Sequence, residues 1–125
     1  MDIETRKDIE TLINSFYDKV KKDATIGFIF TDIVAVNWEQ HLPLMYDFWE
    51  TILLDAGTYQ NNAMAVHYAI NRKQPLSSVH FDQWLYLFNQ SVDALFSGEK
   101  AELAKKRALS IAQVMQFKMQ QENTL

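Results

Sequence analysis

The sequence predicts an all-α protein, and three observations support this class. Gly (3) and Pro (2) are scarce among the 125 residues, so few positions interrupt a helix. Hydrophobic residues make up 48% of the chain and aromatic residues 13%, which is enough for a packed interior. Apolar residues also recur at helical spacing over long stretches. The length suits one domain, and we expect residues 1–125 to form it.

Composition also excludes several classes of protein and site. The absence of cysteine excludes disulfides, iron–sulfur clusters, thiolate zinc sites and a thioether-linked haem. A formal net charge of −4 without a long Lys/Arg cluster argues against a nucleic-acid partner. No run of about 18 apolar residues occurs, and the charged first residues lack the apolar core of a signal peptide. We therefore expect a soluble cytoplasmic protein with no membrane partner.

Periodicity in the first half predicts two long helices. The first covers residues 4–22, where apolar residues recur in steps of three and one. Residues 23–32 should form a compact corner packed on the core, since they contain Gly27 and are too apolar for a free loop. The second helix should begin at Asn37, which has the spacing of a capping box with Gln40, and end near Leu54. Pro43 should disturb its first turns.

The second half predicts two more long helices. Residues 63–68 favour a short helix, and residues 71–75 a polar connection. Ser77 is the expected N-cap of the third long helix, which should end before Gly98. The fourth covers residues 99–120, with small and apolar residues on one stripe. Its basic residues should turn mainly to water, namely Lys105, Lys106 and Arg107.

Three histidines are the first candidates for chemistry. His41 shares an apolar stripe of the second helix with Met45, and a histidine on such a face needs a partner or a function. His67 closes a short run of small and apolar residues. His80 falls three residues after Ser77, where a polar side chain can serve the helix start. Each histidine, taken alone, is more often structural than a ligand.

Five motifs occur in an order that points further. They are FYDKV at 16–20, IGFIF at 26–30, WEQHLP at 38–43 with FW at 48–49, His67, and HFDQWLYLF at 80–88. Together they resemble the group III truncated haemoglobins over nearly the whole chain. The combination of HLP…FW with HFxxWLxLF is rarely met elsewhere, and the glycine pairs of the group I and II proteins are missing. The connection from His67 to His80 is a few residues longer than is typical of the family.

The resemblance implies a truncated-globin fold, a two-over-two helical sandwich around non-covalent haem b. It implies that His67 is the proximal iron ligand and that His41 is the histidine of the distal helix. Tyr17 and Trp84 are implied as hydrogen-bonding residues over the distal face, although each residue alone is more often part of a core. Phe30 is implied to pack against the haem.

The implied pocket has further members at its lining and its edge. Met45 lies one turn beyond His41 and is implied to line the same pocket. The haem propionates carry two negative charges and need cations or water. Arg72 and Lys73 follow His67 by five and six residues, so we expect one of them at the pocket edge. The alternative, to which we give equal weight, is that Arg72 and Lys73 are ordinary solvated charges of a loop.

The implied function is reversible binding of O₂ and other diatomic ligands through a histidine-ligated iron. Two alternatives stay open. One is a redox enzyme acting on bound O₂, nitric oxide or peroxide, for which polar distal donors are also useful. The other is a haem-free helical interaction domain. A reductase partner is not identified by the sequence, and we expect a monomer or a weak dimer.

Overall fold

Four long helices dominate the computed structural model, which describes residues 1–33, 36–55, 57, 71–72 and 74–124. They are α1 Arg6–Lys22, α2 Trp38–Leu54, α3 Ser78–Leu95 and α4 Glu99–Thr124. A π-helical turn, Ile29–Ile33, lies between α1 and α2. No β-strand occurs in this part of the chain. The prediction of an all-α protein is confirmed.

The helices pack as two pairs around one core. Helix α1 packs against α2, and α3 packs against α4, while α1 also contacts α3 and α2 contacts α4. This is the predicted two-over-two arrangement. All four helices contribute side chains to the core, and its largest fully buried members include Phe16, Phe88, Ile9, Leu12, Val92 and Met119.

Helix α1 has a complete capping box and one apolar face. The hydroxyl of Thr5 accepts the N–H of Asp8 at 3.2 Å, and the Asp8 carboxylate accepts the N–H of Thr5 at 3.1 Å. Three lysines occupy the last turn, where positive charges interact favourably with the helix dipole. The buried face holds the apolar positions that the spacing predicted, Ile9, Leu12, Ile13, Phe16, Tyr17 and Val20.

Asp23 and Gly27 fix the corner after α1. Asp23 accepts the N–H of Thr25 and of Ile26 at 2.9 and 3.0 Å, and also Nε2 of Gln83 in α3 at 2.7 Å. Burial alone would raise the pKa of Asp23, but these hydrogen bonds outweigh it and lower the pKa below its ordinary value. A Cβ on Gly27 would lie 2.9 Å from the Val20 carbonyl oxygen, so only glycine permits this approach. The compact corner is confirmed.

Helix α2 has the predicted limits, but its N-terminus is not capped as predicted. Asn37 is the N-cap residue, yet its side chain makes no cap hydrogen bond, so the predicted capping box with Gln40 is wrong. Asn37 is exposed, and water can satisfy the first helical amides in its place. Pro43 lies inside the helix. Asp55 ends it with a φ of 56°, a left-handed conformation that aspartate tolerates better than most residues.

The chain between α2 and α3 is described only in part. The short helix predicted at 63–68, His67 and Lys73 lie outside the described residues. Asn71 and Arg72 are helical, and Asn71 is only 2% exposed. The connection predicted as polar therefore begins with a buried side chain, because Asn71 makes hydrogen bonds to Leu76 and to the end of α4.

Helix α3 begins as the sequence predicts. Ser77 is its N-cap residue, and Nδ1 of His80 accepts the Ser77 N–H at 3.1 Å. The expected role of His80 at a helix start is confirmed. Most of the predicted apolar face is buried or half-buried, but Leu95 in the last turn is 39% exposed.

Helix α4 runs four residues beyond its predicted end. Its apolar stripe is buried as expected, including Ala104, Ala108, Ala112, Met115 and Met119. Lys106 and Arg107 are exposed, but Lys105 is not turned mainly to water. Its ammonium lies 2.7 Å from Asp93 of α3 and 3.2 Å from Glu102, because α3 brings a carboxylate to this edge of α4.

A residue from the far end of the chain caps α4. Gly98 stands before the helix and has no side chain to offer, and a Cβ there would lie 2.6 Å from Cγ of Asp2. The Asp2 carboxylate instead accepts the N–H of Lys100 at 3.0 Å and of Ala101 at 2.9 Å. Burial alone would raise the pKa of Asp2, but the hydrogen bonds from these amides and from Ile3 outweigh it and lower the pKa.

We expect Asp2→Ala to reduce the free energy of unfolding by ~1 kcal/mol at pH 7, as loss of a helix cap does. Because the folded state lowers the pKa of Asp2, the stabilisation is present above its ordinary value of 3.8 and is lost as the pH falls below it. Urea unfolding at pH 7 and pH 3 should show a gap from the wild type that narrows in acid. Asp18→Ala, at an exposed site on α1, is the control. An equal gap at both pH values would contradict a charge-dependent cap.

Candidate functional site

An aromatic cluster lies where α1, the corner and the start of α2 meet. It consists of Tyr17, Phe30, Trp38 and His41. The ring of Tyr17 lies 5.2 Å from that of His41 and 5.3 Å from that of Trp38, centroid to centroid. Phe30 lies 6.1 Å from Tyr17 and stacks on Trp38 at 6.3 Å. The structure therefore brings together three residues predicted for the haem pocket, Tyr17, Phe30 and His41.

The centre of the aromatic cluster is a hydrogen bond between two polar side chains. The Tyr17 hydroxyl lies 3.2 Å from Nε2 of His41, and the tautomer of the imidazole decides which group donates. Tyr17 is 6% exposed. Burial raises the pKa of the Tyr17 phenol above its ordinary value, so the hydroxyl keeps its proton at neutral pH. This pair can donate hydrogen bonds to a small ligand and can relay a proton.

Two members of this region were not assigned a role from the sequence. Trp38 is the first residue of α2 and lies one helical turn before His41. The ammonium of Lys21 lies 4.4 Å from the centroid of the Trp38 ring, which is a cation–π contact. Lys21 follows Tyr17 by four residues, so helical spacing places both on the same side of α1. These two helical spacings, from Tyr17 to Lys21 and from Trp38 to His41, could have indicated from the sequence that Lys21 and Trp38 belong to this region.

Trp84 belongs to a second group of rings next to this cluster. It stacks on Phe88, with ring centroids 5.8 Å apart. Phe16 links the two groups, because its ring lies 4.8 Å from Tyr17 and 5.7 Å from Trp84. Trp84 is half-buried on α3, so it approaches the region from a different helix than Tyr17 does.

Helix α2 carries a second apolar stripe beside the cluster. His41, Leu44, Met45, Phe48 and Ile52 recur at helical spacing, and each is half-buried or exposed. Trp49 and Leu53 are the buried residues of this helix, and Met45, Phe48 and Ile52 contact the same core while they stay partly exposed. An apolar, partly exposed stripe with a histidine at one end is a surface that a flat apolar cofactor can cover. The residues present therefore fit a haem, and Met45, which is predicted to line the pocket, belongs to this stripe.

The predicted residues on the other side of such a cofactor are described in part. His67 and Lys73 lie outside the described residues. The side chain of Arg72 is 70% exposed, and its Nη2 lies 3.9 Å from Oε2 of Glu122 near the end of α4. This is a long ion pair at the surface, where such contacts contribute little.

The described helices lack the features of membrane spans. Among residues 1–33, 36–55, 71–72 and 74–124, no helix combines the length and the apolar character needed to cross a membrane.

Comparisons with known proteins find a similar sequence and a similar fold. No family model matches the chain. The group 3 truncated hemoglobin ctb of Campylobacter jejuni is 30% identical over 110 residues, which cover 86% of this chain and 84% of that protein. The crystal structure of group III truncated hemoglobin from Campylobacter jejuni superposes with a TM-score of 0.81 at 29% identity and covers 95% of each chain. With this agreement in sequence and fold, the chain belongs to the group III truncated haemoglobin family.

Proposed function

We propose that this protein holds non-covalent haem b and reversibly binds O₂ or another diatomic ligand at a His67-ligated iron. Membership of the family implies a haem cofactor. The observation that supports the proposal most is the part-buried Tyr17–His41 hydrogen bond beside the partly exposed apolar stripe of α2. The chain has no cysteine for a thioether link, so packing and one histidine would retain the haem.

Each side of the proposed pocket has its own task. On the distal side, Met45 and Phe48 would pack against the macrocycle, and Phe30 would contact its edge. On the proximal side, a neutral imidazole of His67 would bind iron and donate its second N–H to a carbonyl or carboxylate. Arg72 and Lys73 are proposed to face the propionates. When bound, the haem supplies the iron at which a diatomic ligand is held.

The Tyr17–His41 pair decides how the distal side meets a polar ligand. A phenol has one proton to donate, so Tyr17 cannot donate to His41 and to a ligand at the same time. When Nε2 of His41 carries a proton and donates to the Tyr17 oxygen, the phenol proton is available for the ligand. A ligand that gains negative charge on binding is stabilised by this donor at roughly 1 kcal/mol.

The same pair favours a second candidate function, redox chemistry on bound O₂, nitric oxide or peroxide. His41 and Tyr17 lie within proton-transfer distance, and general acid catalysis needs a positioned proton donor of this kind. Such an activity needs a reductase partner to supply electrons. Turnover of nitric oxide or peroxide, compared with simple ligand exchange, separates the two functions.

We expect the purified protein to take up haem stoichiometrically, with the sharpened Soret band of a histidine-ligated globin haem. The apolar stripe of α2 supplies the contact area, and the hydrophobic effect drives the insertion. Titration of the cofactor-free protein with haemin, followed by absorption, measures this. Bovine serum albumin is a control for non-specific uptake. A titration curve no sharper than that of the control would favour the haem-free interaction domain.

A further inference from the structure

Trp38 packs against both side chains of the hydrogen bond at the centre of the aromatic cluster. Its ring centroid lies 5.3 Å from that of Tyr17 and 5.7 Å from that of His41. The contact with the imidazole is T-shaped, with 82° between the ring planes. Contacts of this geometry are favourable between aromatic rings. Trp38 therefore restrains the same imidazole to which the Tyr17 hydroxyl is hydrogen-bonded.

The orientation of His41 depends on this restraint because its hydrogen bond is weak. The 3.2 Å between the Tyr17 hydroxyl and Nε2 of His41 is at the upper end of the usual range. His41 is half-buried, so water can compete for the imidazole. A single neutral hydrogen bond contributes little net free energy under these conditions. Ring packing must supply the rest, and Trp38 provides part of it.

Side-chain contacts hold Trp38 in place. It is the first residue of α2, whose N-cap residue Asn37 makes no side-chain cap hydrogen bond. The amide of a first helical residue also has no partner within its helix. Trp38 is half-buried, and its ring stacks on Phe30 with 25° between the planes. The Lys21 ammonium lies 4.4 Å from the centroid of the same ring.

Lys21 gives this ring a charged contact. A cation near an aromatic ring is attracted by the π system, and Trp binds cations better than Tyr or Phe does. Lys21 is half-buried in the last turn of α1, whereas its neighbour Lys22 is exposed in the same turn. Both lysines interact with the helix dipole, but the cation–π contact belongs to Lys21.

We propose that Lys21 and Trp38 are positioning residues, which hold the His41 imidazole against the Tyr17 hydroxyl and so fix how the phenol proton is oriented towards a ligand at the iron. The contacts run from the Lys21 ammonium to the indole, and from the indole to the imidazole. The effect on a ligand rests on the proposed function. The placement of His41 concerns the protein alone.

The first measurement follows the His41 imidazole of the cofactor-free protein by nitrogen NMR, which reports its tautomer and the hydrogen bond of Nε2. Lys21→Met should lower the ratio of positioned to displaced imidazole about two- to fivefold, as the loss of a partly exposed cation–π contact allows. Lys21→Arg should restore the wild-type signal, because a guanidinium also stacks on aromatic faces. Lys22→Met is the matched control, since it removes an equal charge from the same turn at an exposed site.

Trp38→Leu shows whether Lys21 acts through the indole. It removes the aromatic face and should displace the imidazole more than Lys21→Met does. In the Trp38→Leu background, Lys21→Met should have no further effect, because its contact is already gone. An equal effect of Lys21→Met in both backgrounds would overturn the proposed path of contacts. If Trp38→Leu does not fold, Trp38→Phe replaces it, and the effect of Lys21→Met should then be smaller than in the wild type.

The second measurement follows the C–O stretching bands of carbon monoxide bound to the haem-loaded protein, because their frequencies report the polarity of nearby groups. Lys21→Met should lower the area of the main wild-type band relative to the other bands by the same two- to fivefold factor. Lys21→Arg and Lys22→Met should keep the wild-type pattern.

The two measurements separate this inference from the function on which it rests. If Lys21→Met lowers only the unfolding temperature, Lys21 is merely structural and the inference is overturned. A changed imidazole signal with unchanged C–O bands would remove the link to the ligand. If the protein takes up no haem, the proposed function fails, while the NMR measurement still decides whether Lys21 and Trp38 position His41.

Discussion

Replacing His67 by alanine should abolish stable haem binding. The His67 imidazole is proposed to form the only bond from the protein to the iron. The remaining contacts between protein and haem are non-directional apolar packing. Changes to groups that merely support a metal ligand weaken metal affinity by roughly 10- to 100-fold, so loss of the ligand itself should exceed that range. Gel filtration of the haem-loaded variant, with the haem-to-protein absorbance ratio as the readout, measures the loss.

His80→Gln is the matched control for this experiment. Nδ1 of His80 accepts the Ser77 N–H at the start of α3, and glutamine at the same position of a capping box can accept it too. Its haem spectrum should match that of the wild type. Full haem retention in His67→Ala, or a large spectral change in His80→Gln, would show that the iron ligand has been assigned to the wrong histidine.

Tyr17→Phe should accelerate oxygen dissociation by roughly five- to fifteenfold. The change keeps the ring in the aromatic cluster and removes only the hydroxyl, at ~1 to 1.5 kcal/mol for one hydrogen bond to the bound ligand. Carbon monoxide is less polar when bound, so its dissociation should respond less. Stopped-flow measurement of both ligands separates a lost hydrogen bond from a widened pocket, which would change both rates together. Unchanged oxygen release would mean that the Tyr17 hydroxyl serves only His41.

Trp84→Phe extends the oxygen measurement to the second proposed donor. It should act in the same direction if the indole N–H reaches the ligand. The double variant shows whether the two donors act independently, because independent donors give additive changes in the activation free energy. Strong coupling would indicate that the two donors meet at one ligand atom.

Sequence patterns predicted what depends on near neighbours. Periodicity and local capping predicted the end of α1 at Lys22, the end of α2 near Leu54 and the N-cap of α3 at Ser77, because these patterns involve residues within one turn. The meeting of Tyr17, Phe30 and His41 required the family resemblance, because three different elements supply them. The predicted capping box at Asn37 was wrong although its spacing was right, because the Asn37 side chain is exposed and makes no cap hydrogen bond.

What the sequence did not reveal depends on contacts between distant residues. The cap of α4 comes from Asp2, 98 residues before Lys100, and no local rule connects them. The last turn of α4 was missed because it is held by Asn71, whose polarity suggested a surface position. Buried polar side chains resemble exposed ones in a sequence until their partners are known.

Because one stripe of α2 is partly exposed, binding of the cofactor and ordering of this helix are coupled. Trp49 and Leu53 are the fully buried residues of this helix, its other apolar residues contact the core only in part, and Pro43 removes one of its internal hydrogen bonds. A group that covers the outer stripe binds the ordered helix and not the disordered one, so its binding free energy adds to the stability of α2. Haem concentration would then set how long the α2 backbone amides stay protected from exchange with solvent, while α3 and α4 pack mainly on each other.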